Sequence, residues 1–290
     1  MMIDICFCIV LYKTEIKKSL TVQTLLEKLN ILGEYNILLY LHNNGPQSTP
    51  CDLVVPNNVK IIEAGNTKNQ SLAKIYNNSI KDIKASYTCI LDQDSELTTE
   101  YIKSIKYAIE NKIKILVPIV YSKGEIRCPR KYHKGEHNGT IIKKECVMPS
   151  SEFIRTVGSG VLISYELCKA LWNKYPTIFD ERFFIYTADT AFFYRIKDIN
   201  TFDITIMGFI KHNMASLGIE SKASKKFRQE DSAAGKALLA KYYKKKSFIP
   251  FLIKSFNRYI IGGLHISLFC IAIKTYIKGT NPLLEQEKRA

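Results

Sequence analysis

The sequence predicts an α/β fold, in which a mostly parallel, doubly wound sheet is followed by a C-terminal helical extension. Apolar runs of strand length alternate with stretches of helical periodicity over residues 1–215, which is typical of such a sheet. From 216 to 290 the pattern becomes basic and helical. We therefore expect two units, 1–215 and 216–290, and the length of 290 residues suits one large domain with a smaller appendage.

Each predicted strand is an apolar run. Residues 3–11 and 35–41 are nearly continuous in apolar side chains, as strands buried on both faces are, and shorter runs lie at 59–63, 87–91, 113–120 and 204–210. Helices are predicted where apolar residues recur at helical spacing, at 15–32, 69–83, 99–111 and 165–174. The polar stretch 123–151 is predicted to be an irregular insertion or hairpin.

Two polar loops follow predicted strands directly. Asn43-Asn44-Gly45-Pro46 ends the second strand with strong turn chemistry, and Asp92-Gln93-Asp94 follows the fourth. Ligands of doubly wound sheets bind beyond the carboxyl ends of the strands. Both loops therefore lie at the edge where a ligand site is expected.

Composition narrows the class of protein. The formal charge of +15 indicates either a polyanionic partner or a general bias towards lysine. The eight cysteines form no Cys-x-x-Cys pair, which argues against a zinc site or disulfide framework and fits a reducing cytoplasm. Asp4 interrupts the first apolar stretch and no cationic leader precedes it, so no signal peptide is expected.

The Asp92-Gln93-Asp94 loop carries the strongest chemical signal. A buried strand delivers two carboxylates, two positions apart, into a solvent-facing loop, where they repel each other. Mg²⁺ or Mn²⁺ would offset that repulsion, because hard cations take oxygen ligands and bridge the phosphates of a substrate. The alternative is an ordinary acidic turn after a strand.

Six motifs in order resemble the family-two inverting glycosyltransferases of the GT-A fold, especially their rhamnosyltransferase-like branch. The resemblance covers roughly residues 1 to 215, and Leu91-Asp92-Gln93-Asp94-Ser95 is its closest match. The other motifs are the opening strand end at 9–13, the turn at 41–46, the helix start at 69–77, the glycine turn at 157–160, and the Phe-Asp-Glu segment at 179–186 with the later Asp189 and Arg195.

The resemblance implies a role for each matched residue. The nucleotide would contact Tyr12, Asn43, Asn44, Asn77 and Asp92. The metal would be bound by Asp92 and Asp94, and His212 lies where many relatives place a histidine near the metal. For His212, a metal or phosphate contact and a purely structural histidine both stay open. The acceptor side would comprise Gly158, Ser159, Gly160, Glu181 and Arg195.

Asp189 is the predicted general base. A sugar hydroxyl is a poor nucleophile until a base draws off its proton, and attack opposite the leaving diphosphate inverts the anomeric centre. The aromatic segment around Asp189 would raise its pKa by desolvation. Glu181 is the second candidate for the base, and a helix cap or a partner of Arg195 is the structural alternative for Asp189.

Departures from the family pattern bear on the donor. Asn43 stands where the family has an aspartate, and Lys13 replaces an asparagine. An amide still donates and accepts hydrogen bonds, so nucleotide binding can survive with an altered preference. The expected donor is dTDP-rhamnose or a UDP-sugar, and the expected acceptor is a saccharide or a lipid-diphosphate-linked chain of an O-antigen or capsule pathway. An inactive homologue is the alternative.

The basic tail predicts contact with an anionic membrane. Eight Lys and Arg between 225 and 246 precede apolar helices, and each basic residue near such a surface contributes about 1 kcal/mol. The apolar piece 259–273 is shorter than the roughly 20 residues a spanning helix needs. We expect a cytoplasmic protein, peripheral on the inner membrane face, or helices that cap the catalytic domain.

A nucleic-acid-binding module is the rival explanation for the positive charge. It leaves the paired aspartates at the sheet edge unexplained, and the sequence lacks the aromatic and basic motifs of RNA-binding domains. We therefore expect no specific nucleic acid partner.

Overall fold

The computed structural model describes residues 2–46, 51–133, 138–213, 221–263 and 265–289, and its elements alternate as the sequence predicts. The strands are β1 Ile5–Leu11, β2 Ile37–Asn44, β3 Val59–Asn66, β4 Tyr87–Asp92, β5 Ser95–Leu97, β6 Ile115–Ser122, β7 Glu125–Cys128, β8 Arg130–Tyr132, β9 Thr140–Ile141, β10 Cys146–Met148, β11 Phe153–Arg155, β12 Val161–Ser164 and β13 Ile204–His212. The helices are α1 Leu20–Leu26, α2 Leu72–Ile83, α3 Thr99–Glu110, α4 Tyr165–Trp172, α5 Ala188–Ile199, α6 Lys222–Leu238, α7 Phe248–Phe256, α8 Ile266–Lys278 and α9 Leu283–Arg289.

The central sheet is mostly parallel. Its strand order is β10-β13-β6-β12-β4-β1-β2-β3, with β5 added to β13 and β7 added to β6. The pairs β1/β2, β2/β3, β1/β4 and β6/β13 are parallel, whereas β12 runs antiparallel between β4 and β6. The predicted fold class, a mostly parallel doubly wound α/β sheet, is confirmed.

Both faces of this sheet are covered, which explains the unbroken apolar runs. In β1, Cys6 and Cys8 belong to one buried cluster, and Phe7 and Ile9 belong to another. Because successive side chains of a strand point to opposite faces, a strand sandwiched between two layers has to be apolar throughout.

The helix predicted at 15–32 is wrong in its extent. The segment forms a 3₁₀ turn at Ile16–Lys18, the short helix α1, and a second 3₁₀ turn at Leu29–Leu32. The break occurs at Ser19, because its hydroxyl accepts a hydrogen bond from the backbone of Val22 and so caps a new helix. The insertion predicted at 123–151 holds short strands in its described parts.

The C-terminal helices pack on the sheet domain. Leu238 and Leu239 lie in one apolar cluster with Phe183, Ala188 and Ala191. The predicted boundary at 215/216 lies outside the described residues. The sequence leaves two possibilities for this region, membrane contact or a cap on the catalytic domain. These contacts show the cap, and the outer surface of the helices stays open for a membrane.

Asp231 on α6 anchors this contact. Its carboxylate is fully buried and accepts hydrogen bonds from the backbone N–H groups of Ile185 (3.1 Å) and Tyr186 (2.7 Å), and from the side chain of Asn281 at 2.5 Å. Burial raises the pKa of Asp231 to about 6, and these hydrogen bonds oppose the rise. One side chain therefore joins α6, the segment before α5 and the start of α9.

In the part of the chain that the structure describes, none of the helices has both the length and the apolar character to cross a bilayer.

Replacing Asp231 should loosen this junction. Asp231→Ala leaves three donors without their acceptor in a buried place, so we expect a loss of about 3 kcal/mol in the free energy of unfolding. The neighbouring Glu230 makes only a 3.9 Å pair with Lys226 on the same helix, so Glu230→Ala should cost under about 0.5 kcal/mol. Urea denaturation measures both, and equal losses would contradict the anchoring role.

Candidate functional site

Asp92, Asp94 and His212 meet at the carboxyl edge of the sheet, and we call these three residues the cation group. Asp92 is the last residue of β4, and the pairing of β5 with β13 places Ser95 opposite His212. The imidazole Nδ1 lies 3.3 Å from Asp94 Oδ1, and Nε2 lies 3.8 Å from Asp92 Oδ2. One ligand atom from each residue lies within 4.8 Å of the other two, so the group could hold a metal ion.

Hydroxyl groups from distant parts of the chain hold this loop in place. The Thr21 hydroxyl donates to the carbonyl of Asp92 at 2.5 Å and accepts from the backbone N–H of Ser95 at 2.9 Å. The Ser19 hydroxyl donates to the carbonyl of Gln93 at 2.9 Å. The two carboxylates are thus held close together although they repel each other.

Charge crowding in the group fits a divalent cation. Burial raises the pKa of Asp92 to about 6; the charge of His212 opposes this, and those of Asp94 and Asp189 add to it. Burial likewise raises the pKa of Asp94, against the charge of His212. A cation between the carboxylates would relieve both effects, and two carboxylates with one imidazole suit an ion such as Mn²⁺.

Asp189 lies in the first turn of α5, where its carboxylate accepts hydrogen bonds from the backbone N–H of Thr190 at 2.6 Å and from the Thr190 hydroxyl at 3.3 Å. Burial raises the pKa of Asp189, while Thr190 and the charge of Arg155 lower it. The charge of Asp189 in turn raises the pKa of Asp92.

Arg195 pairs with Asp180 instead of Asp189, and its acceptor-side role stays a prediction. Its guanidinium is buried, donates to the carbonyls of Thr177 (2.6 Å) and Ile178 (3.0 Å), and lies 3.3 Å from Asp180. Its Nε–H donates to the Tyr243 hydroxyl. The guanidinium is thus held by groups of the fold itself.

Asn77 also serves the fold instead of a ligand. Its amide donates to the carbonyl of Phe179 and to Glu181 Oε1, both at 2.9 Å, and its oxygen accepts from the backbone N–H of Phe179. The nucleotide-binding role of Asn77 stays a prediction, and in the structure its amide holds the Phe179 segment. The same contact fixes Glu181, the second candidate for the base.

The glycine turn before β12 supports the sheet. Ser159 is fully buried; its hydroxyl accepts from the backbone N–H of Asp92 at 3.0 Å and lies 2.7 Å from that of Ser95. Gly160 has φ +84°, and a Cβ there would lie 2.7 Å from the side chain of Pro118. Ser159 and Gly160 thus act behind the acids instead of contacting an acceptor, and Gly158 has only ordinary packing space beside Ile90.

A cavity of about 140 Å³ opens at the ends of the first three strands, and we call it the strand-end pocket. It is lined by Leu11, Thr14, Ile16, Leu41, Asn43, Glu63, Ala64 and Gly65. The side-chain N–H₂ of Asn43 is buried and has no hydrogen-bond partner among the described residues, so it can donate to a ligand carbonyl.

Asn44 and Tyr12 each directly follow a residue that lines this pocket. The amide of Asn44 is buried and exchanges hydrogen bonds with the backbone of Gln70 and the side chain of Asn69, so it stabilises the turn. The Tyr12 side chain is 40% exposed and available to a ligand. Its backbone N–H donates to Gln93 Oε1 at 2.6 Å, and its carbonyl accepts from Gln93 Nε2 at 3.0 Å.

Sequence reasoning missed Gln93, Glu63 and Thr14. Gln93 links the Tyr12 loop to the acidic loop, which no local pattern shows because the two lie 81 residues apart. Glu63 and Thr14 line the strand-end pocket. Glu63 could have been found from the sequence, because it ends the predicted strand at 59–63. In a parallel sheet that strand end lies beside the Asn43 turn.

Removing Asp94 should weaken metal binding. Asp94→Ala takes away one of three ligands, so the affinity for Mn²⁺ should fall at least about ten-fold, measured from the free Mn²⁺ signal in electron paramagnetic resonance. Glu96→Gln is the matched control, because Glu96 lies two positions on and pairs with Lys211 at 2.7 Å. Unchanged Mn²⁺ affinity in Asp94→Ala would rule out the cation group.

Comparison with known proteins identifies the fold. Neither a protein-family model nor a curated protein matches the sequence. The crystal structure of S. aureus TarS superposes with a TM-score of 0.50 at 13% identity, over 96% of this chain and 54% of that chain. TarS 1–349 superposes with a TM-score of 0.51 at 13% identity, over 95% of this chain and 71% of that chain. The chain thus spans about half the length of TarS, and its fold is GT-A-like, the nucleotide-binding fold of glycosyltransferases.

Proposed function

We propose that this protein is a metal-dependent, inverting glycosyltransferase that moves a sugar from a nucleotide-diphosphate donor to a saccharide or lipid-diphosphate-linked acceptor. One observation carries the proposal: the cation group and the strand-end pocket share the carboxyl edge of a GT-A-like sheet. A nucleic-acid-binding module would need none of these. An inactive homologue is disfavoured because both the metal-capable group and a candidate base are in place.

The donor would span the edge from the strand-end pocket to the cation group. Asn43 offers an unpaired N–H₂ and Glu63 a carboxylate to the nucleoside, and Tyr12 offers its exposed ring. Asp92, Asp94 and His212 would hold Mg²⁺ or Mn²⁺, which supplies charge neutralisation to a diphosphate. TarS 1–349 has been crystallised with UDP and with UDP-GlcNAc, so UDP-sugars are the first donors to test, followed by dTDP-rhamnose.

Asp189 would accept the proton of the attacking acceptor hydroxyl. Its pKa is raised by burial, which makes it a stronger base than an exposed aspartate, and Thr190 holds the carboxylate in one orientation. Attack from the side opposite the departing diphosphate inverts the sugar. Glu181 is restrained by Asn77 and stays the second candidate.

Residues 1–215 would form the catalytic unit, and 216–290 would bring it to the inner membrane face, where lipid-linked acceptors of surface-polysaccharide synthesis are found. Seven large apolar side chains between 248 and 277 are exposed: Phe248, Ile249, Ile253, Phe256, Ile261, Ile266 and Ile277. Together with fifteen Lys and Arg against four Asp and Glu over 221–290, this surface suits an anionic bilayer. The order of motifs supports the rhamnosyltransferase-like branch and an O-antigen or capsule pathway.

Asp189→Asn tests the base. The amide keeps the shape but cannot take up a proton, so transfer should fall at least about a hundred-fold. Nucleotide binding, measured as the shift in melting temperature with UDP or dTDP and Mn²⁺, should stay unchanged. The base has to be deprotonated to act, and burial raises its pKa. Wild-type activity should therefore rise with pH, and on acidification it should be lost at a higher pH than with an exposed aspartate as the base.

Two results would contradict this assignment. Full transfer by Asp189→Asn would exclude Asp189 as the base, and the same replacement at Glu181 would then identify its substitute. No melting-temperature shift of the wild-type protein with any nucleotide or nucleotide sugar would exclude the function itself.

The apolar surface should contribute to membrane binding. Replacing Ile249 and Ile253 (68% and 57% exposed) by Glu places charges where a bilayer would receive apolar side chains, so sedimentation with phosphatidylglycerol vesicles should weaken about ten-fold. Val54→Glu is the control, since Val54 is 95% exposed but lies outside the helices. Undiminished sedimentation of the double variant would exclude this surface.

A further inference from the structure

A second cavity, of about 80 Å³, lies between α6, α7 and α8, and we call it the basic pocket. Its cationic residues are Lys236, Lys244, Lys246, Lys254 and Arg258. Its floor is small and apolar, formed largely by Ala233, Ala237, Ala240 and Ala272. Since about 10–15 Å³ suffices for one water, the space is enough for a phosphate group.

These cations lack acidic partners. In the described ranges, none of the five lies within 4.0 Å of a carboxylate oxygen, although Lys226 and Lys278 nearby do form such pairs. From 232 to 284 the sequence has no Asp or Glu and nine Lys and Arg. The folded chain therefore gathers positive charge around a cavity and supplies no anion to balance it.

Lys236 shows the resulting electrostatic cost. The Lys236 side chain reaches solvent, but the protein packed around it lowers its pKa to about 8, and the charges of Arg258, Arg155 and Arg228 lower it further. The pKa of Lys244 is lowered as well, first by burial and then by the charges of Lys254 and Arg155. A bound anion would reverse both effects.

The basic pocket adjoins the segment that carries Asp189. Leu239 lines the pocket and packs in one apolar cluster with Ala188, the residue before Asp189. The exposed Arg155 at the end of β11 adds positive charge that acts on Lys236 and Lys244 and lowers the pKa of Asp189. A ligand that reaches from the basic pocket along this contact would therefore approach the proposed base.

We propose that the basic pocket binds the phosphate or diphosphate group of the acceptor and so delivers the acceptor hydroxyl to Asp189. This inference rests on the proposed function and adds the chemistry of the acceptor, which has to be phosphorylated. A donor diphosphate is not its ligand, because the donor would be held at the cation group.

The direct test is calorimetric titration of the full chain with inorganic diphosphate in EDTA, which leaves the cation group without a metal to hold that ligand. Lys236→Gln with Arg258→Gln should weaken binding about ten-fold or more, because two charge-assisted contacts are lost. Lys274→Gln is the control, since Lys274 lies exposed on α8 and does not line the pocket. Both altered side chains are exposed, so the double variant should keep the wild-type urea midpoint.

Kinetics separate this inference from the function on which it rests. With a phosphorylated acceptor, the double variant should show a KM for the acceptor raised about ten-fold, while the KM for the donor and the melting shift with UDP and Mn²⁺ stay unchanged. Equal transfer to acceptors with and without phosphate would overturn the inference and leave the transferase intact. Loss of vesicle binding in the double variant with undiminished diphosphate binding would also overturn it and reassign these cations to the bilayer surface.

Discussion

The whole site depends on keeping like charges close together. The pKa of each of three aspartates is raised: Asp92, Asp94 and Asp189. Within the cation group, His212 is the one residue whose charge lowers the pKa of the two acids. The fold withstands this because hydroxyls of Thr21, Ser19 and Ser159 hold the acidic loop through its backbone, which leaves the carboxylate oxygens free. Because the scaffold holds these carboxylates together, a cation between them would relieve their repulsion.

The sequence predicted the architecture well because burial on both faces leaves a strong trace. Strands such as β1 and β2 are apolar throughout, and the acidic loop follows β4 where the alternation of elements requires a ligand edge. These features depend on local pattern and on the general geometry of parallel sheets.

Four residues that the sequence places at the site form hydrogen bonds inside the fold, and these bonds share a physical feature. Asn44, Asn77, Ser159 and Arg195 are polar side chains whose partners are backbone groups of turns and segments distant in the chain, so nothing near them in sequence shows that they are occupied. His212 comes to the acids only through the antiparallel pairing of β5 with β13. Polar residues beside a site hold it together as often as they face its ligand.

Gln93 has a mechanical consequence. Its side-chain amide accepts a hydrogen bond from the backbone N–H of Tyr12 and donates one to the Tyr12 carbonyl, and Asp92 and Asp94 flank Gln93 in the chain. One side chain therefore joins the Tyr12 loop to the acidic loop. A displacement of the Tyr12 main chain would either break both hydrogen bonds or move the acidic loop with it.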